Sequence, residues 1–253
     1  MIQVLNLPSK QKTISFIWQH LFLLISLFIL TLGVALCVRS NLGSSVISSC
    51  PLAFTLAGEK GLCPPLSLGV YTNILNVLLV VGQIITLRRR FHPIQLLQLL
   101  VGVVFGVMID ANMALTSGLV CDTLPSQLAA QTSGCLVMAA GISLEIRCGS
   151  ITMPGEGLPA AISKASGRPF ANIKIWVDIS LVILAMAAML SFFGQWLWNV
   201  VGFGTLFAMV FVGVAVKFFS AHLAWFDSLL GYQPGFRRYL YGLARFIHSS
   251  RIK

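Results

Sequence analysis

Six stretches of about twenty residues carry one acidic or basic residue at most: 16–38, 66–87, 94–117, 127–146, 175–193 and 199–220. A helix of that length covers the roughly 30 Å hydrocarbon core of a bilayer at about 1.5 Å per residue. Water is absent from that core, so every peptide group must find its partner inside the helix. Two shorter stretches, about 44–57 and 153–165, lie between the long ones and are too short to span as helices. Only 9% of the 253 residues are charged, against about 25% in soluble domains. The chain therefore reads as a single membrane domain, 1–253, with the lipid bilayer as its main partner and no room for a large soluble unit.

In that setting the net charge of +10 is a topology signal, and no nucleic-acid partner is implied. Excess Lys and Arg collects on the cytoplasmic loops of membrane proteins. With six crossings, Lys10 and Lys12, Arg88 to Arg90, the group Arg147, Lys164, Arg168 and Lys174, and the group Arg237 to Lys253 all fall on one side. The other side receives Arg39, Glu59, Lys60 and Asp122 and is nearly neutral. Both termini are expected in the cytoplasm. A further crossing by either short stretch would carry the later basic loops to the wrong side. The first apolar run is too long for a signal-peptide core. Residues 227–253 form a basic tail in which Leu240, Leu243 and Ile247 recur at helical spacing. An amphipathic helix on the anionic inner leaflet and a solvated tail both fit that pattern.

The chain repeats itself. GVALCVRSNLGSSVISSCP, from Gly33 to Pro51, and GISLEIRCGSITMPGEGLP, from Gly141 to Pro159, align at an offset of 108 with Gly, Leu, Arg and Pro in common (Gly33/Gly141, Leu36/Leu144, Arg39/Arg147, Pro51/Pro159). Further on, Asn73 falls on Asp178, Gly106 on Gly213 and Asp110 on Lys217 at nearly the same offset. Repeat 1 covers about 16–117 and repeat 2 about 127–220, each ordered helix, short segment, helix, helix. Three crossings per repeat turn the second upside-down relative to the first, the inverted plan frequent in secondary transporters. The expected fold class is all-α: a polytopic membrane protein of six transmembrane helices plus two short broken or re-entrant segments in an inverted 3+3 repeat. The two segments would enter from opposite faces and meet near the middle.

The breaks carry the candidate chemistry. After Arg39 come Asn41, Ser44 and Ser45, and after Arg147 come Thr152, Pro154 and Glu156. Ser44, Ser45 and Thr152 can cap short helices, and Pro154 suits a first helical turn. Helix N-termini attract anions, and a neighbouring Arg strengthens the attraction. Arg39 and Arg147 can equally be anchors that snorkel to headgroups. Glu156 can take up a coupling proton or bind a cation instead. Polar stripes run along the spans: Gly69, Asn73, Asn76 and Gln83; Gln95, Gln98, Gly102, Gly106 and Asp110; Gly202, Thr205, Gly213 and Lys217. Small and amide residues usually serve helix packing. Intramembrane charges such as Asp110, Asp178 and Lys217, with Glu145 near a helix end, are functional candidates by default. Asp110 is placed to pair with Arg39, and Asp178 with Arg147 or Lys174. The candidate substrate-binding set is thus Arg39, Asn41, Ser44, Ser45, Asn73, Asp110, Arg147, Thr152, Glu156 and Asp178.

Enzyme signatures such as H-E-x-x-H, G-x-S-x-G and a P-loop are absent from the sequence. The four His are scattered, and the six Cys show no metal spacing, so no catalytic residue, metal or cofactor is assigned. Cys63 and Cys121 fall in outward loops and are open to a disulfide or to remaining free thiols. Gly102 and Gly106 can serve internal packing or a homo-oligomer.

The stretches GVALCVRSNLGSS, SLGVYTNILN, RRRFHPIQLLQ, FGVMID and NIKIWVDISLV together resemble the YczE/YyaS/YitT group of bacterial integral membrane proteins, the YczE-like branch above all, over about residues 25–220. That group favours Pro after the small residues of the first break, where this chain has Val46, while the second break keeps Pro154. The resemblance implies a polytopic bacterial inner-membrane protein and brings no substrate or catalytic residue with it. Two functions follow as expectations. One is a secondary transporter or exporter of a small solute, anionic if the Arg residues bind it. The other is a non-transporting scaffold or regulatory protein of the membrane.

Overall fold

The computed structural model describes residues 9–148 and 153–223. Thr152 and the basic tail 227–253 lie outside the described residues. The described residues form eight α-helices: α1 Ser9–Arg39, α2 Val46–Glu59, α3 Leu68–Leu87, α4 Leu97–Leu115, α5 Leu124–Cys148, α6 Pro154–Ser166, α7 Phe170–Phe193 and α8 Phe203–His222. Six of them are long and apolar enough to cross a membrane, and they coincide with the six expected spans. The two breaks become α2 and α6, of 14 and 13 residues, about 20 Å each at 1.5 Å per residue and too short to cross.

α1 and α5 lie antiparallel at the centre. Their axes approach through glycine. A Cβ on Gly33 would strike the backbone of Met138 and Gly134, and a Cβ on Gly141 would strike the backbone of Leu30. Without a hydrophobic driving force between helices in lipid, such backbone approach supplies much of the association energy. Further along the seam, Cys37 and Cys135 bring their sulfurs to 3.9 Å. α4 packs on α1, and α8 packs on α5. The remaining four helices close a ring, in which α2 and α6 each lie against both α3 and α7.

Two buried apolar clusters fill the interior. The larger joins α1, α4, α5 and parts of α2, α7 and α8 around Leu27, Phe105, Ile109 and Met189. The smaller fills the ring, with Leu75 and Leu79 of α3 and Ile173, Val177 and Leu181 of α7 at its centre. Large apolar side chains such as Ile85, Val107, Trp176, Phe203 and Val210 face outward and meet lipid. Beyond α7, Trp198 stacks on Phe203 and Trp196 donates to the Val201 carbonyl at 2.9 Å. Aromatic rings with one polar atom favour the headgroup level.

The intramembrane acids find local partners. Asp110 on α4 accepts hydrogen bonds from the Ser67 hydroxyl at 2.6 Å and the Gly69 amide at 2.8 Å. It thereby caps the first turn of α3 from a neighbouring helix. Arg39 instead donates to the Met113 carbonyl at the end of α4, at 2.8 Å. Asp178 pairs with Lys174 one turn earlier at 2.9 Å, the second of its two expected partners. Cys63 and Cys121 are free thiols; Cys63 lies 3.2 Å from the Tyr71 hydroxyl.

Candidate functional site: the junction of two half-length helices

α2 and α6 are built alike. Each starts after a residue of extended backbone, Ser45 (φ −65°, ψ 154°) and Met153 (φ −61°, ψ 151°). Each has proline as its sixth residue, Pro51 and Pro159. Val46 in place of Pro therefore leaves the start of the first helix unchanged. Ser45 occupies the N-cap position without capping: its hydroxyl goes to Ser48 at 2.5 Å.

The two helices meet at their N-terminal ends. Ile47, second residue of α2, rests against Gly155, second residue of α6, so closely that a Cβ on Gly155 would run into the Ile47 Cδ1. The sequence repeat places these same two residues on each other. Proline lacks an N–H, so Pro51 leaves the Ile47 carbonyl without its usual helical donor, and Pro159 does the same to Gly155. The Val46, Ile47 and Gly155 amides, being first-turn groups, have no acceptor among the described residues. First-turn amides, and two carbonyls that lack their proline-position helical donor, thus gather where the two half-length helices start. The side chains around them are apolar: Val46, Ile47, Leu158 and Ile162 pack on the smaller cluster.

The first break is strapped to the start of α8. Leu42 accepts from the Gly204 amide at 2.8 Å, and the Ser44 amide donates to Val200 at 3.2 Å. Gly43 has φ 122° and lies against Gly202 and Thr205, a conformation and a closeness that only glycine accepts. Ser40 donates to Gln131 of α5 at 2.7 Å, and Gln131 in turn donates to the Gly204 carbonyl at 2.8 Å. Irregular backbone at membrane depth needs such protein partners. Asn41 ends α1 in the left-handed region (φ 57°) and points outward, exposed.

The second break sits among side-chain amides and carboxylates. Gln83 and Gln98 bond each other reciprocally at 2.9 and 3.2 Å, and Gln83 reaches the Pro154 carbonyl at 3.5 Å. Gly157 packs on both amides. Glu145 lies by Met153 and within electrostatic reach of Glu156. The repeat puts neutral Cys37 and Ser48 in the corresponding places of the first half. Arg147 donates to the Ser220 carbonyl of α8, as Arg39 does to Met113 of α4.

The candidate residues are thus distributed and do not converge on one point. Ser44 and Ser45 line the start of α2, and Glu156 lies in the first turn of α6. Asn73 faces Gly106 across α3 and α4. Arg39 and Arg147 hold the ends of α4 and α8. Asp110 caps α3, Asp178 is paired on α7, and Thr152 lies outside the described residues. Ile47 and Gly155 escaped sequence reasoning, although the 108-residue offset pairs them.

Taken together, the helices and their lipid-facing surface define a polytopic α-helical integral membrane protein with two half-length helices inside it. The chain belongs to a family of unknown function (DUF6198), whose family model matches residues 17–221. No curated protein and no solved structure matches the chain.

Proposed function

We propose that the protein is a secondary transporter or exporter of a small polar solute, and not an enzyme. The path would run between two inverted three-helix halves and be closed, in the conformation described, at the α2–α6 junction. The carrying observation is the contact of Ile47 with Gly155, the second residues of two half-length helices of like construction. The antiparallel packing of α1 on α5 and the parallel roles of Arg39 and Arg147 support the same internal symmetry. Unpaired backbone groups at mid-membrane are costly unless something polar visits them. The first-turn amides at the helix starts offer hydrogen-bond donors to such a solute. The basic loops favour a bacterial inner membrane with both termini cytoplasmic, and the YczE-like resemblance fits that placement.

Thiol accessibility tests the reading. Single cysteines replace Ser45 and Met153 in a chain lacking Cys63; the other five native thiols are buried. A membrane-impermeant maleimide is added from each side of oriented vesicles. Transport requires both positions to react, with the reactive side changing as solutes are added. If neither thiol reacts from either side under any condition, the junction is a dry packing element and the transport reading falls.

A further inference from the structure

Among the described residues the buried side-chain amides are mostly served by the fold; Asn112 leaves its Oδ1 unpartnered, and Asn76 leaves both of its polar atoms so. Gln83 and Gln98 satisfy each other, Gln131 bridges Ser40 and Gly204, and the Asn112 amide donates to Phe28 and Thr31. Asn76 is 1% exposed, yet neither its Nδ2 nor its Oδ1 has a hydrogen-bond partner among the described residues. Asn73, one turn earlier on the same face of α3, also leaves its buried Oδ1 unpartnered. Both face α4 at Gly102 and Gly106, where a Cβ on Gly102 would come within 3.2 Å of the Asn76 Nδ2.

An amide buried in hydrocarbon with both donor and acceptor unused is strongly unfavourable, and an apolar residue of like volume would pack there without that penalty. Asn76 sits between Leu75 and Leu79, which pack in one cluster with Val46, Ile47, Leu158 and Ile162, so it lies at the height of the helix junction. The side chain offers one acceptor and one donor pair side by side. An anion without an O–H or N–H group meets only its NH2, and an ammonium or metal cation meets only its oxygen. A neutral molecule carrying an adjacent donor and acceptor satisfies both atoms.

We infer that Asn76, assisted by Asn73, binds a small neutral hydrogen-bonding solute of the amide or alcohol class at mid-membrane. This names the solute class for the transport reading and rests on it for the solute's route. It replaces the anion that the two Arg residues suggest.

Acetamide is a suitable probe, since it carries both hydrogen-bonding groups on one small molecule. Saturation-transfer NMR on the full chain in nanodiscs should show transfer to the acetamide methyl group. Asn76→Leu should cut that transfer at least tenfold while keeping the helical circular dichroism of the native chain. Should that variant not fold, Gly102→Ser serves instead: its hydroxyl would reach the Asn76 amide, and it should abolish transfer with Asn76 intact. Wild-type transfer in whichever variant folds overturns the site. Binding of acetate in preference to acetamide overturns the solute class, and a signal from water alone overturns both. Asn76-dependent acetamide binding without acetamide flux into proteoliposomes keeps this site and overturns the transport reading.

Discussion

Ile47 of α2 and Gly155 of α6 touch each other, and they are the same position of the repeated sequence. The space where the two helix starts meet is shared by one large and one absent side chain.

That sharing predicts a coupling. Gly155→Ala should destabilise the protein by about 1–3 kcal/mol, the usual result of overpacking a filled interior. In an Ile47→Ala background the same change should cost less than about 0.5 kcal/mol, because its obstacle is gone. Unfolding of all four variants in SDS gives the coupling energy; equal costs in both backgrounds would mean that the helix ends do not touch.

The α1–α5 seam should be intolerant where backbone meets backbone. Gly33→Val places atoms against the Met138 and Gly134 main chain, which cannot rotate away, and should cost at least about 3 kcal/mol or prevent assembly. Gly213→Ala meets open space and should be neutral or gain about 0.5–1 kcal/mol from helix propensity. Thermal unfolding in detergent separates the two; similar costs would contradict the seam.

Asp110 and Arg39 should prove independent. Asp110→Ala removes the acceptor for Ser67 and Gly69 and should cost about 1–3 kcal/mol. Arg39→Met removes a separate bond to Met113. A double-mutant cycle should return a coupling within about 0.5 kcal/mol of zero, whereas a larger favourable coupling would restore the ion pair that the sequence suggested.

Cys37 and Cys135, with sulfurs 3.9 Å apart, should cross-link under mild oxidation, since a disulfide of about 2.05 Å needs only a small adjustment here. After cleavage in the exposed loop near Gly61, oxidised protein should keep its two fragments joined on a non-reducing gel. Cys37→Ser should release them. Free fragments from oxidised wild-type protein would show that α1 and α5 do not align in this register.

Much of the frame was legible beforehand because lipid leaves few options. Runs such as 66–87 have to be helical in hydrocarbon, and the Lys and Arg distribution argues against the two short stretches as spans. Pro51 and Pro159 recur at the 108-residue offset, and each lies inside its short helix as the sixth residue. The candidate site was less legible. Asp110 is a bare intramembrane charge in one dimension, and only the packing of α4 on α3 brings Ser67 and Gly69 to its carboxylate. Ser45 reads as a cap, yet its hydroxyl prefers Ser48.

The sequence by itself determined the helical class, the six long helices and the existence of two like-built breaks. All of these depend on apolar length and on where the charges fall along the chain, which are properties of the sequence alone. Only the tertiary structure decided that α2 and α6 meet end to end, that Arg39 and Asp110 take different partners, and that Asn76 is buried with its amide unserved. Those outcomes depend on distances between residues far apart in the chain. In a bundle where every span is apolar, hydropathy cannot say which faces meet; close backbone approach and the pairing of a few polar atoms decide it.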